Sequence, residues 1–440
     1  MNGVQPRVVC AKTLLRTLES GSYSNLALQA AFQNAKLTGQ EKALCTAIFQ
    51  GTLERLFTVD ACVQAHISRP LEKLDAPVRC VLRCGIYELL YLATPPSAAV
   101  NLWTEVIKAM GKKSASAMVN AVLRSFLRSE KQIPQPKETF AAYEVRYSVP
   151  RTLIAQLIGE YGEEKVLPFL EDAGGEPPVY IRRNPLCADT DTLLAALAEF
   201  SPTPVAEIPD AYRLKRSGAL TDTAAFRKGM FHVQDLASQL CCMALDAQPD
   251  EIVLDVCAAP GGKTFTIAEM MQGKGKIYAY DLHENRVRLI QKGAKRLGLS
   301  NIYASTGDAA KPADDRPMAD RVLCDVPCSG YGVMRRKPEV RYKSAEEVKA
   351  LPGIQRNILE ASAKAVKVGG VLVYSTCTLS KAENDAVVTD FLRSHPAFSL
   401  EMPWKPAAWN QSIAAEMTTL FPQMLGSDGF FIAKMRRRAE

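Results

Sequence analysis

The sequence predicts an α/β chain in which an all-α domain and a small α+β linker domain precede a doubly wound, mainly parallel sheet. Three observations lead there: helical spacing of apolar residues up to about residue 127, a breaker-rich interval after it, and short apolar runs alternating with helix-like segments beyond Phe231. The domain boundaries expected from them are 1–135, 136–228 and 229–440.

From Val8 to about Leu127, apolar residues recur as in Val78, Val81, Leu82, Ile86, Leu89 and Leu90, with few glycines or prolines. That is the period of helices burying one face. Beyond them the chain is punctuated by Pro134, Pro136 and Pro150, then by Gly174, Gly175, Pro177 and Pro178. Between Val179 and Arg227 the runs VYIRR and YRLKR flank one helical stretch, DTLLAALAEF, which suggests the small α+β domain. Then EIVLDVCA, KIYAYDL, NIYASTGD, ADRVLCDV and GGVLVYST appear at intervals filled by helix-like sequence. Strands alternating with helices make a parallel sheet covered on both faces. Ligands of such sheets bind beyond the carboxyl ends of the strands.

Composition narrows the class. A chain of 440 residues with 47% hydrophobic content exceeds what one core usually serves, so two or three domains are expected. No apolar run is long enough to span a bilayer, and the first twenty residues carry no secretory pattern; a cytoplasmic protein is expected. Twelve scattered cysteines then imply reduced thiols. The close sets Cys80/Cys84, Cys241/Cys242 and Cys324/Cys328 make no pair of CxxC motifs and lie apart from the four histidines, so no metal site is expected. Residues 1–150 carry 18 Lys and Arg against 11 Asp and Glu, whereas residues 151–440 carry 36 of each. The net charge of +7 is therefore N-terminal, where basic surface favours nucleic acid.

The first predicted strand runs into Asp255, Val256, Cys257, Ala258, Ala259, Pro260, Gly261, Gly262, Lys263 and Thr264. Adjacent glycines let backbone approach a ligand, and a helix starting near Lys263 aims its amide donors at the same place. The spacing fits neither GxxxxGK[ST] nor GxGxxG. The second strand ends at Asp281, the third at Gly307 and Asp308, the fourth at Asp325. Carboxylates at successive strand ends suit a ligand with ribose hydroxyls, an amino group and a cationic centre, and would repel a phosphate-rich one.

Cys328 follows Asp325-Val326-Pro327, and Cys377 follows Tyr374-Ser375-Thr376. Both come after their apolar runs, over the ligand edge of the sheet, where a thiolate can act as nucleophile. Methylating carbon 5 of cytosine requires such a nucleophile: a transient bond at carbon 6 turns the ring into an enamine, and an acid, here Asp325, assists at ring nitrogen 3. The residues alone leave open which cysteine attacks.

CAAPGGKT, DVPCSG and STCTL, in this order, resemble the RNA 5-methylcytosine methyltransferase family, the Nol/Nop/Sun family. GTLER, LDAPVRCVLRCGIYELL and AMVNAVLRSFLR look like the NusB-type RNA-binding domain fused to bacterial Sun/Fmu proteins, which methylate small-subunit rRNA. Arg182 to Pro185, Val233-Gln234-Asp235 and Gly429 to Ala433 extend the similarity, while Ser427 stands where Thr is expected. The resemblance implies a Rossmann-like domain that binds S-adenosylmethionine through Cys257, Ala258, Ala259, Pro260, Gly261, Gly262, Lys263, Asp281, Arg286, Asp308 and Asp325. It implies Cys377 as nucleophile, with Cys328 promoting its release. The expected partner is 16S rRNA, deproteinised or partly assembled, the target base single-stranded or flipped, and the protein a monomer.

Two other readings are the same chemistry on another RNA such as tRNA, and a non-enzymatic RNA-binding or antitermination protein. The second has no use for Cys377, Cys328 and Asp325 together. Arg335, Arg336 and Lys337 are read equally as RNA-backbone contacts or as a solvated charge run.

Overall fold

The computed structural model describes residues 3–438 apart from 21–23, 217, 312–315, 406, 408, 409, 412 and 414. The chain forms two compact units, residues 1–175 with 334–343, and residues 176–333 with 344–440.

The first unit is helical. Val4–Ser20, Ser24–Asn34, Gly39–Glu54, Leu56–Gln64, Ala76–Tyr91, Pro96–Ala109 and Ser116–Arg128 bury a core that includes Leu14, Phe49, Val81, Trp103 and Phe126. Gly39–Glu54 starts at a capping box, Thr38 accepting from the Glu41 amide and Glu41 from that of Thr38. The core holds a buried polar cluster: Glu88, fully buried, accepts from Arg7 Nε and from Trp103 Nε1, each at 2.8 Å. Helices Thr139–Tyr147, Arg151–Tyr161 and Glu163–Asp172 also belong here. The segment 136–228 is thus shared, its helices up to Asp172 lying in this unit and its strands in the other.

Residues 334–343 complete the first unit. Arg341 is buried and donates to the carbonyls of Glu54 at 2.9 Å and Ala173 at 2.7 Å. Arg335, 8% exposed, pairs with Asp172 at 2.9 Å. Neither an RNA contact nor a solvated charge describes Arg335: a buried guanidinium needs a counter-charge, and Asp172 supplies it.

In the second unit, twelve strands among the described residues make two sheets. β1 (Val179–Arg183), β2 (Thr203–Pro204), β3 (Ala211–Leu214) and β4 (Phe231–Val233) form an antiparallel sheet ordered β2-β3-β1-β4. The larger sheet contains β5 (Ile252–Asp255), β6 (Lys276–Asp281), β7 (Ile302–Thr306), β8 (Ala319–Asp325), β9 (Val366–Thr376), β10 (Phe398–Glu401) and β12 (Phe430–Arg437) in the order β10-β12-β9-β8-β5-β6-β7. β11 (Met417–Leu420) pairs with β12 alongside this path.

The five strands β5 to β9 are parallel, and β10, β11 and β12 add an antiparallel edge. The doubly wound expectation therefore holds. β9 shows why its sequence is a nearly continuous apolar run: Val371 and Val373 enter the core on one face, Leu372 and Tyr374 the core on the other. Among the described residues no helix is long and apolar enough to cross a membrane.

Candidate active site

β5 hands its chain to a tight loop. Ala258 N donates to Tyr280 O and Gly261 N to Ala258 O, both at 2.8 Å. Gly261 sits at φ 110°, and a Cβ there would meet the Phe265 ring at 2.4 Å, so only glycine fits. Helix Gly262–Met270 begins at once, its first amides facing the loop. Thr264 Oγ1 donates to Asp255 Oδ2 at 2.7 Å. Burial raises the Asp255 carboxyl to about 7, against that hydrogen bond, and burial also pushes the Cys257 thiol well up. A cavity of about 220 Å³ opens here, lined by Gln234, Asp255, Cys257, Pro260, Lys263 and Asp325 among others.

Asp281 ends β6 and is ion-paired to Arg286 Nη1 at 3.3 Å, while Arg286 Nη2 donates to Ala259 O at 2.9 Å. Arg286 thereby ties the glycine loop to the next strand end. Asp308, half-buried beyond β7, accepts from Ala310 N at 3.0 Å; that bond, aided by Lys311, holds its carboxyl below the usual range. Asp281, Arg286 and Asp308 border the loop and its strand edge and do not line the cavity.

Asp325 closes β8, opposite Ser375 of β9. Its two oxygens accept from Lys263 Nζ at 2.8 Å and Ser375 Oγ at 2.9 Å. The Lys263 ammonium also lies 5.0 Å from the Phe430 ring centroid. Burial works against its charge, but Asp325 prevails and the lysine pKa rises.

Cys328 and Cys377 meet three and two residues beyond Asp325 and Ser375, with sulfurs 3.3 Å apart. Both are half-buried, and none of the described cysteines is in a disulfide. Hydrogen bonding to Cys377, then burial, push the Cys328 thiol well above its ordinary pKa, with Glu383 and Asp325 adding to the effect.

Glu383, a residue the sequence reading missed, is 1% exposed and accepts from Ser329 N and Gln355 Nε2, both at 2.9 Å. It fixes the turn after Cys328. No spacing marks it; it follows Cys377 by six residues in an ordinary polar run. The turn is held from a second side by Gly332, whose N donates to Cys377 O at 3.0 Å and whose O accepts from Gly429 N at 2.9 Å. A Cβ on Gly332 would lie 2.0 Å from Gly429 O.

Residues 242–436 match the family model for the 16S rRNA methyltransferase RsmB/F, and residues 4–128 match that of the NusB family. The probable ribosomal RNA small subunit methyltransferase B of Bacillus subtilis is 35% identical over 453 residues, spanning all of both chains. Among solved structures, PH0851 aligns over 98% of both chains with TM-score 0.82 at 26% identity. NSun6 from Pyrococcus horikoshii with SFG aligns over 66% of this chain and 99% of its own, with TM-score 0.59 at 25% identity. With the glycine loop, the acidic strand ends and the paired cysteines in one unit and a NusB domain before them, the chain belongs to the RsmB/F family of rRNA methyltransferases.

Proposed function

We propose that this rRNA methyltransferase modifies carbon 5 of a cytosine in 16S rRNA, with Cys377 as nucleophile and S-adenosylmethionine as methyl donor. The observation carrying the proposal is the pair of sulfurs 3.3 Å apart beside Asp325 at the carboxyl edge of the sheet. The site suits that cofactor. The glycine loop admits close backbone approach, the carboxylates of Asp281, Asp308 and Asp325 accept hydrogen bonds and favour a cation, and Asp255 Oδ1 is buried without a partner among the described residues. The solved relative with SFG, a cofactor analogue, supports the same assignment. The cofactor supplies an electrophilic methyl group.

The protein does the rest. Cys377 adds to ring carbon 6 as its thiol proton passes to Asp325, which is anchored by Lys263 and Ser375 and delivers that proton to ring nitrogen 3 as charge builds there, the proton returning when the thiolate leaves. Carbon 5 then takes the methyl group. Cys328, beside Cys377, promotes loss of the carbon 5 proton, so that the ring regains aromaticity and expels the thiolate.

The test is a denaturing gel of Cys328→Ala and Cys377→Ala proteins incubated with deproteinised small-subunit rRNA and S-adenosylmethionine. An RNA adduct with Cys328→Ala and none with Cys377→Ala is expected. The opposite pattern swaps the two roles, and no adduct from either removes the covalent step.

A further inference from the structure

The loop's cavity has a wall that the motifs do not describe. Gln234 lines it from the end of β4, at 6% exposure, with its carboxamide oxygen already engaged. Thr266 Oγ1 donates to Oε1 at 2.6 Å, and His232 Nε2 faces the same oxygen at 3.3 Å. His232 is backed in turn by Glu269 at 3.3 Å, and Glu269 by Arg182 at 2.9 Å. These contacts engage the amide of Gln234 at its oxygen. Its nitrogen, Nε2, is buried and has no hydrogen-bond partner among the described residues. A Cβ on Gly262 would stand 3.9 Å from Nε2, which puts the donor beside the first residue of helix Gly262–Met270.

Two independent features therefore converge on one corner of the cavity: an unpartnered amide donor, and the positive end of a nine-residue helix whose first amides have no intrahelical acceptor. Buried donors are nearly always satisfied, so an unsatisfied one in a cavity wall points to a ligand acceptor. Lys263, the one cation among the described residues lining the cavity, is engaged by Asp325. Asp235, Asp255 and Asp325 also line the cavity, Asp325 offset by Lys263 and Asp235 capping helix Leu236–Leu245, so what the Gln234 corner itself offers an anion is neutral donors. Of the groups on the proposed cofactor, only the carboxylate of its amino-acid end is anionic.

We propose that Gln234 is a cofactor-binding residue that donates from Nε2 to this carboxylate; the inference rests on the cofactor assignment above. The probes are S-adenosylhomocysteine, which carries the carboxylate, and 5′-methylthioadenosine, which lacks the whole amino-acid end. Calorimetry on full-length wild type, Gln234→Ala and Gln234→Glu reads the difference. Gln234→Ala is expected to weaken S-adenosylhomocysteine by about tenfold or more, the size of a lost hydrogen bond to a charged group, and to leave 5′-methylthioadenosine unchanged. Gln234→Glu sets like charges together and is expected to weaken S-adenosylhomocysteine further.

Equal loss for both ligands means a structural role and overturns the proposal, as does no loss for either. Tighter S-adenosylhomocysteine binding by Gln234→Glu also overturns it, because the side chain would then face the ammonium group. Wild-type protein that binds neither probe sinks the cofactor assignment together with this inference.

Discussion

Cys328 and Cys377 lie 49 residues apart in sequence and 3.3 Å apart at their sulfurs, because the parallel neighbours β8 and β9 end level with each other, Asp325 opposite Ser375. Two half-buried thiols at this separation can be joined by an oxidant. Diamide is expected to abolish methyl transfer and dithiothreitol to restore it, with a cross-linked peptide containing both cysteines in the mass spectrum. Inactivation without that peptide places the sensitive thiol elsewhere.

The Lys263–Asp325 pair is coupled in stability as well as geometry. The side chains are 13% and 27% exposed and 2.8 Å apart, so removing one partner leaves the other largely desolvated. Asp325→Asn and Lys263→Met are each expected to cost about 1–3 kcal/mol, less than a fully buried pair because water reaches part of the carboxylate. The double variant is expected to lose clearly less than the two singles together. Urea denaturation of the four proteins measures this, and strict additivity would show that the pair does not interact. Asp325→Asn is further expected to lower methyl transfer at least about 100-fold, the scale of a lost general acid.

The parallel strands were legible because a strand covered on both faces must be apolar throughout, as in GGVLVYST, and because their ends carry acids and glycines in order. The antiparallel edge was not. β10 reads Phe-Ser-Leu-Glu, half polar, since only part of it meets the core. The segment 334–343 was equally hidden: a basic run soon after the Cys328 turn looks like surface, and only the fold brings Asp172 to Arg335. Gln234 stood in the sequence as part of a family pattern, but its significance depends on Thr266 holding one side of its amide and leaving the other bare. Lys263 illustrates the same limit, since its partner is 62 residues away.

Glu88 is the polar keystone of the helical unit. It is buried with no exposure and accepts from Arg7, Trp103 and, at 2.6 Å, Thr94 Oγ1. Glu88→Ala strands the Arg7 guanidinium, itself only 3% exposed, and is expected to destabilise this unit by about 3–5 kcal/mol. Glu88→Gln keeps one acceptor and is expected to cost less. Differential scanning calorimetry of the full chain provides the measurement; a loss below about 1 kcal/mol in Glu88→Ala, the range of an exposed pair, would contradict the buried cluster.

Asp255 gives the second unit a pH dependence opposite to that of most carboxylates. Burial lifts its folded pKa to about 7, whereas the unfolded chain titrates near 4. Between those values the folded protein holds a proton that the unfolded chain has released, so the contribution to stability is full below about pH 4 and declines as pH rises towards 7. Asp255→Asn cannot titrate and escapes the decline. The difference in unfolding free energy between variant and wild type is therefore expected to shift by about 2–3 kcal/mol in favour of the variant from pH 5 to pH 8. Urea titrations at the two pH values measure it directly. A difference that stays constant would mean that Asp255 is already ionised at pH 5, with its charge stabilised by more than the 2.7 Å bond from Thr264.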